Sequence, residues 1–159
     1  LGGGALLDLG IYPVSFAVDI LGPIAIARAV GRLAETGADT EVSIAAEHAG
    51  GAVSSLAVSS RAAGPNTAHI VGTEARIDID RVWYTPTSFR VTAHDGTVIE
   101  EYTSEVDGRG MQFEALYAEH LIREGRTDSD LLPFDESIAI MSTLDDIRAQ
   151  LGVTYPKER

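Results

Sequence analysis

Two side chains early in the chain, Asp8 and Tyr12, have the types and the spacing to do chemistry. Four residues apart on a helix, they project from one face, one turn above the other. A carboxylate there can orient a cation or accept a hydrogen bond from a substrate hydroxyl. A phenol can pass a proton to or from a substrate oxygen. The pair also has a structural reading. An Asp near a helix N-terminus is favoured by the macrodipole, and a Tyr on an apolar helix is commonly core with its hydroxyl at the rim. Spacing alone favours the plainer reading, although Asp8 is the only charge before Asp19 in an apolar stretch from Ala5 to Leu21. A lone carboxylate on a buried helix is costly without a partner.

Other chemistries fall away on the same inspection. Gly2, Gly3 and Gly4 do not make a dinucleotide fingerprint, since Leu7 stands where its last glycine would be and no strand precedes them. His48, His69, His94 and His120 lie far apart without ligand spacing, so no metal site is expected. His120 reads as an ordinary, partly buried helical histidine. The serines lack the context of a nucleophile elbow. There is no cysteine, which excludes disulfides and thiolate metal sites and fits a reducing, cytoplasmic compartment. The one lysine, Lys157, lies in the C-terminal tail, so chemistry that needs a buried lysine must take it from elsewhere.

The 159 residues, 45% hydrophobic and 23% charged, suit one globular domain spanning 1–159. A formal charge of −12 argues against nucleic acid and anionic membranes as partners, because phosphate binding needs clustered cations. Residues 5–21 are too short for a membrane span and carry Asp8, Gly10, Pro13 and Asp19. No basic segment precedes them, so no signal peptide is expected. The chain does not start with Met and opens inside a motif, which reads as a piece of a longer protein.

The elements that must carry these residues follow from periodicity. The first helix should end near Leu21 at Gly22-Pro23, with Pro13 kinking it or marking a fresh first turn. From Ile24 to about Tyr102 the pattern has period two, with strands predicted over 24–33, 41–48, 52–61, 69–71, 76–80, 89–94 and 97–102. Asp95-Gly96 is a tight-hairpin signal between the last two. The strand Val53–Ser60 and the alanine-rich first strand should offer a smooth face of small side chains, suited to a sheet-to-sheet oligomer contact. Helical period returns after Gly110. Phe113, Leu116, Tyr117 and Leu121 are expected as one core stripe, and Ile140, Leu144, Ile147 and Leu151 as another. The order predicts an α+β domain: an open-faced, predominantly antiparallel sheet of six or seven strands with helices on one face.

The string Gly2-Gly3-Gly4-Ala5-Leu6-Leu7-Asp8-Leu9-Gly10-Ile11-Tyr12-Pro13 resembles the opening of the C-terminal domain in the glucose–fructose oxidoreductase, inositol dehydrogenase and MocA family, nearest its dihydrodiol dehydrogenase-like branch. The C-terminal run is similar to the family's ending: Pro133, Glu136-Ser137, Met141, Leu144-Asp145, Ile147-Arg148, then Gly152-Val-Thr-Tyr155-Pro156. The resemblance is strong at both ends and generic in the strands between. It implies a glyceraldehyde-3-phosphate dehydrogenase-like C-terminal domain whose sheet forms a homodimer or tetramer contact. NAD or NADP would be held mainly by an N-terminal Rossmann domain that this chain lacks. It places Asp8 and Tyr12 at the active site, with small-molecule substrates such as sugars, cyclitols or trans-dihydrodiols. The phenol's ordinary pKa near 10 makes it a poor base, and the family's Glu-Lys-Pro lysine on the other domain is the cation that would lower it. On this reading Tyr12 is the general acid/base and Asp8 orients substrate and lysine, although the family also places His at the aromatic position. Alone, the chain should neither bind NAD(P) nor turn over. The competing readings are a non-catalytic dimerisation scaffold and a small-molecule binding module.

Overall fold

The computed structural model describes residues 3–155. Leu1, Gly2 and residues 156–159, including Pro156 and Lys157 of the readings above, lie outside the described residues. A π-helical turn, Leu6–Gly10, leads into α1, Ile11–Leu21. Seven strands follow: β1 Ile24–Leu33, β2 Asp39–His48, β3 Val53–Ser59, β4 Ala68–Val71, β5 Ala75–Ile79, β6 Phe89–Ala93 and β7 Val98–Tyr102. Helices α2, Met111–Arg123, and α3, Phe134–Leu151, complete the α+β order. All strand pairs are antiparallel. Hydrogen bonding divides them into two sheets, β1-β2-β3 and β4-β5-β6-β7. The chain groups into two compact units: residues up to Ala63 with those from Ser129 onward, and Gly64–Asp128.

In the first unit, α1 and α3 cover one face of the three-stranded sheet. Val42, Ile44 and Ala46 alternate inward on β2, while Ser43, Ala45 and Glu47 face solvent. The inward row meets Leu6, Val14 of α1, and Ile140, Leu144 and Ile147 of α3, which together form the core. These helical residues recur at three- and four-residue spacing, the stripe that a sheet-packed helix needs. A register shift between Ile24 and Ile26 lets Ile24 join Ala27 and Ala29 against the core, leaving Ile26 and Val30 exposed. β1 is an edge strand, and its open backbone groups are met by α3. The Gln150 side-chain amide accepts from the Ala29 N–H at 3.0 Å and donates to the Ala27 carbonyl at 3.2 Å.

The second unit is built on the four-stranded sheet. Ile70, Ile77, Ile79 and Val91 are half-buried, alternating with exposed His69, Arg76 and Arg90. Phe89 stacks on Tyr102 across β6 and β7 at 5.2 Å between centroids. The Asp95-Gly96 turn joins these strands, as predicted, and the Asp95 carboxylate accepts from the Thr97 N–H at 2.8 Å.

Two expectations are corrected here. The stripe assigned to α2 is not core: Phe113 is 55% and Leu116 60% exposed, and none of its residues is buried. Period 3.6 marks one apolar face but does not supply a surface to bury it. Surface pairs at i,i+4, Arg123 with Glu119 and His120 with Glu124, brace this helix instead. His120 is accordingly exposed, its Nε2 3.4 Å from Glu124 Oε1, not partly buried. The first turn of the opening helix, Leu6–Gly10, is π-wound, a feature the apolar pattern does not report.

Candidate functional site

The segment that carries Asp8 begins in extended glycine backbone and is pinned by a strand residue far along the chain. Asp39, at the start of β2 and 3% exposed, accepts the Leu6 N–H on its carboxylate at 2.6 Å. That bond satisfies one of the donors a helical start leaves open. It is possible only because residue 4 has no side chain. A Cβ on Gly4 would lie 2.1 Å from Asp39 Oδ1, and the Gly4 φ of +142° suits glycine. Asp8 then closes the first turn, donating its N–H to the Gly4 carbonyl at 3.3 Å. Gly10, buried in the same turn, lets the Leu6 δ-methyl lie against the backbone, where a Cβ would sit at 3.1 Å.

Asp8 is exposed and faces an open concavity of about 750 Å³ lined by Gly3, Gly4, Leu7, Asp8 and Tyr155. Tyr12 is 49% exposed on α1 and is not among those lining residues. The i→i+5 winding of Leu6–Gly10 changes the phase between positions 8 and 12 relative to a continuous α-helix. The two candidate residues therefore share one surface-exposed segment, with Asp8 alone on the wall of the concavity. Neither is enclosed in the core.

The concavity can do a limited chemistry. Among the described residues it offers the Asp8 carboxylate as acceptor, the Tyr155 ring, the apolar Leu7 and two glycines. The Asp8 carboxylate can accept a hydrogen bond from a hydroxyl placed in this space. Among the described residues no three His, Asp or Glu side chains come together to hold a metal. His48, 1% exposed, is structural: Nδ1 lies 2.6 Å from the Gly22 carbonyl and Nε2 3.0 Å from Ser54 Oγ.

Sequence inspection missed two residues that shape this site. Asp39 and Leu6 are 33 residues apart, so no local pattern reports their bond. Tyr155 stood in the C-terminal motif without a role and is brought to the concavity that Asp8 lines only by the fold.

Comparisons with known proteins bear on the fold. Residues 1–78 match the family model for the GFO/IDH/MocA C-terminal domain. Over 164 residues the chain is 35% identical to trans-1,2-dihydrobenzene-1,2-diol dehydrogenase of Mus musculus, covering 99% of this chain and 49% of that protein. The Xenopus laevis protein of the same name is 34% identical, covering 98% and 49%. The chain thus spans about half the length of the relatives it matches. Two solved structures share the fold. One is a 3-ketoreductase from Actinomadura kijaniata in complex with TDP-benzene and NADP, at TM-score 0.75 and 21% identity, covering 95% of this chain and 48% of that one. The other is an aldose-aldose oxidoreductase from Caulobacter crescentus complexed with glycerol, at TM-score 0.77 and 17% identity, covering 93% and 45%.

Proposed function

We propose that this chain, whose residues 1–78 match the family model for the GFO/IDH/MocA C-terminal domain, is the substrate-binding and dimerisation half of an NAD(P)-dependent oxidoreductase. Its substrate on this reading is a ring bearing neighbouring hydroxyls: a trans-dihydrodiol, as the name of the Mus musculus relative suggests, or a sugar or cyclitol. The observation that carries the reading is Asp8, a carboxylate exposed on the wall of an open concavity on the motif segment. The nicotinamide, when bound, supplies hydride acceptance at the substrate carbon. It is held mainly by an N-terminal Rossmann domain, as the family likeness implies.

The residues of this chain handle the substrate and its proton. Asp8 accepts a hydrogen bond from a substrate hydroxyl and fixes the ring's orientation. Tyr12 takes the proton from the reacting hydroxyl in oxidation and returns it in reduction. A phenol needs a neighbouring cation to act near neutral pH. The single lysine, Lys157, lies in the tail, so that cation comes from the nucleotide-binding domain, where Asp8 also helps to hold it. Without that domain the chain neither binds NAD(P) nor turns over. Dimerisation uses the outer face of the β1-β2-β3 sheet, where Ser43, Ala45, Ser55 and Ala57 are exposed beside Val30 and Val53. A cytoplasmic location suits the absence of cysteine.

The test is turnover by the protein together with its nucleotide-binding domain, followed as NAD(P)H formation on a panel of cyclic diols and sugars. Tyr12→Phe lowers kcat by about 10²-fold or more if the phenol moves the proton. An unchanged rate assigns Tyr12 to packing.

A further inference from the structure

We propose that Tyr155 is the aromatic wall of the substrate site, a specificity residue that holds the flat face of a cyclic substrate against Asp8. This rests on the reading of the concavity as the substrate site and adds to it a residue from the opposite end of the chain. The placement is built in three steps. Helix α3 stops at Gly152, whose φ of +74° reverses the chain, with the Gly152 and Val153 N–H groups returning to the Ala149 and Arg148 carbonyls at 3.1 and 3.2 Å. Val153, 4% exposed, anchors the segment that leaves the helix. The Tyr155 ring then lies over the Arg148 guanidinium, 4.9 Å from ring centroid to Cζ.

Arg148 is itself held. Its side chain is only 16% exposed, and Nε donates to Asp145 Oδ1 at 3.1 Å. Tyr155 is therefore held against a fixed cation while it lines the same concavity as Asp8. An aromatic ring and a carboxylate lining one concavity, with two glycines, supply the chemistry that recognises a ring with C–H faces and hydroxyl edges. The ring stacks in offset geometry, and its hydroxyls donate to the carboxylate. An open-chain diol satisfies the carboxylate equally well but gains little from the aromatic face. The arrangement thus selects cyclic over acyclic diols, and it does so through binding, not through the proton transfer assigned to Tyr12.

The experiment uses the protein with its nucleotide-binding domain, and trans-cyclohexanediol and propanediol as probes. Tyr155→Ala raises KM for the cyclic probe by about tenfold relative to the acyclic one, while kcat changes little; Tyr155→Phe keeps the wild-type preference. Binding is read separately, without turnover, from the shift of the Tyr155 ring resonances on adding the cyclic probe. Wild-type turnover with an unaltered KM ratio in Tyr155→Ala overturns this proposal and leaves the oxidoreductase reading standing. Absent turnover with Tyr155-dependent binding of the cyclic diol does the reverse. Absent turnover without a ring shift overturns both.

Discussion

At the scale of single residues, the site depends on a contact between a glycine and a buried carboxylate. Gly4→Ala would place a methyl group 2.1 Å from Asp39 Oδ1 and force Asp39 off the Leu6 N–H. A hydrogen bond to a charged group contributes about 1.5–3 kcal/mol, so urea denaturation should show Gly4→Ala destabilised by roughly that much. Asp39→Ala should cost a similar amount. The double variant should cost clearly less than the sum, because both changes remove the same bond; strict additivity would separate the two residues. A second prediction concerns Asp78 on β5. The side-chain hydrogen bond from His69, 2.8 Å away, lowers the Asp78 carboxyl below its ordinary 3.8, and Arg76, at 2.9 Å, acts in the same direction. A carboxyl lowered by folding adds stability above its unfolded pKa and loses it as pH falls through the folded value. Its contribution is therefore present above about pH 4 and disappears in stronger acid. An NMR titration of the Asp78 carboxyl should give a midpoint below 3.8, and His69→Ala should move it upward. A midpoint that ignores His69 would remove the pair from the account.

At the scale of elements, α3 does two jobs. One stripe, Ile140, Leu144 and Ile147, fills the core of the first unit. The next turn covers the edge of β1 through Gln150 and Leu151. Gly31 in β1 permits that approach. A Cβ there would meet the Glu41 carbonyl at 2.6 Å and Leu151 Cδ2 at 2.9 Å. Since one of the atoms is backbone, the strand pair itself must shift. Gly31→Ala should destabilise by about 1–3 kcal/mol and loosen the amide protection of β1, measured by hydrogen exchange. Native-like protection would mean that Leu151 alone gives way. α2 is the contrasting case, with the same period and none of the burial.

At the scale of the whole molecule, the relatives are about twice as long as this chain. The proposed division of labour assigns hydride chemistry to the part beyond it and substrate recognition to this one. Sedimentation velocity at micromolar concentration should show a dimer or larger assembly if the outer face of β1-β2-β3 is the contact. Val30→Glu, at a residue 74% exposed on that face, should return it to monomer without loss of fold. A monomeric wild type would sink the contact proposed for that face.

Much of this protein was legible in one dimension. Period two along Ile24–Tyr102 and period 3.6 along Phe134–Leu151 placed seven strands and the last helix to within a few residues, because local geometry decides which side chains share a face. The Asp8-Gly10-Tyr12 string pointed to the segment where the concavity opens. What only the tertiary structure decided was long-range. The Asp39 carboxylate on the Leu6 N–H, the exposure of α2, the π-wound turn that leaves Asp8 rather than Tyr12 on the concavity, and the arrival of Tyr155 on the same concavity as Asp8 all depend on partners that residue spacing cannot supply. Periodicity reports which residues face alike, whereas packing determines what they face.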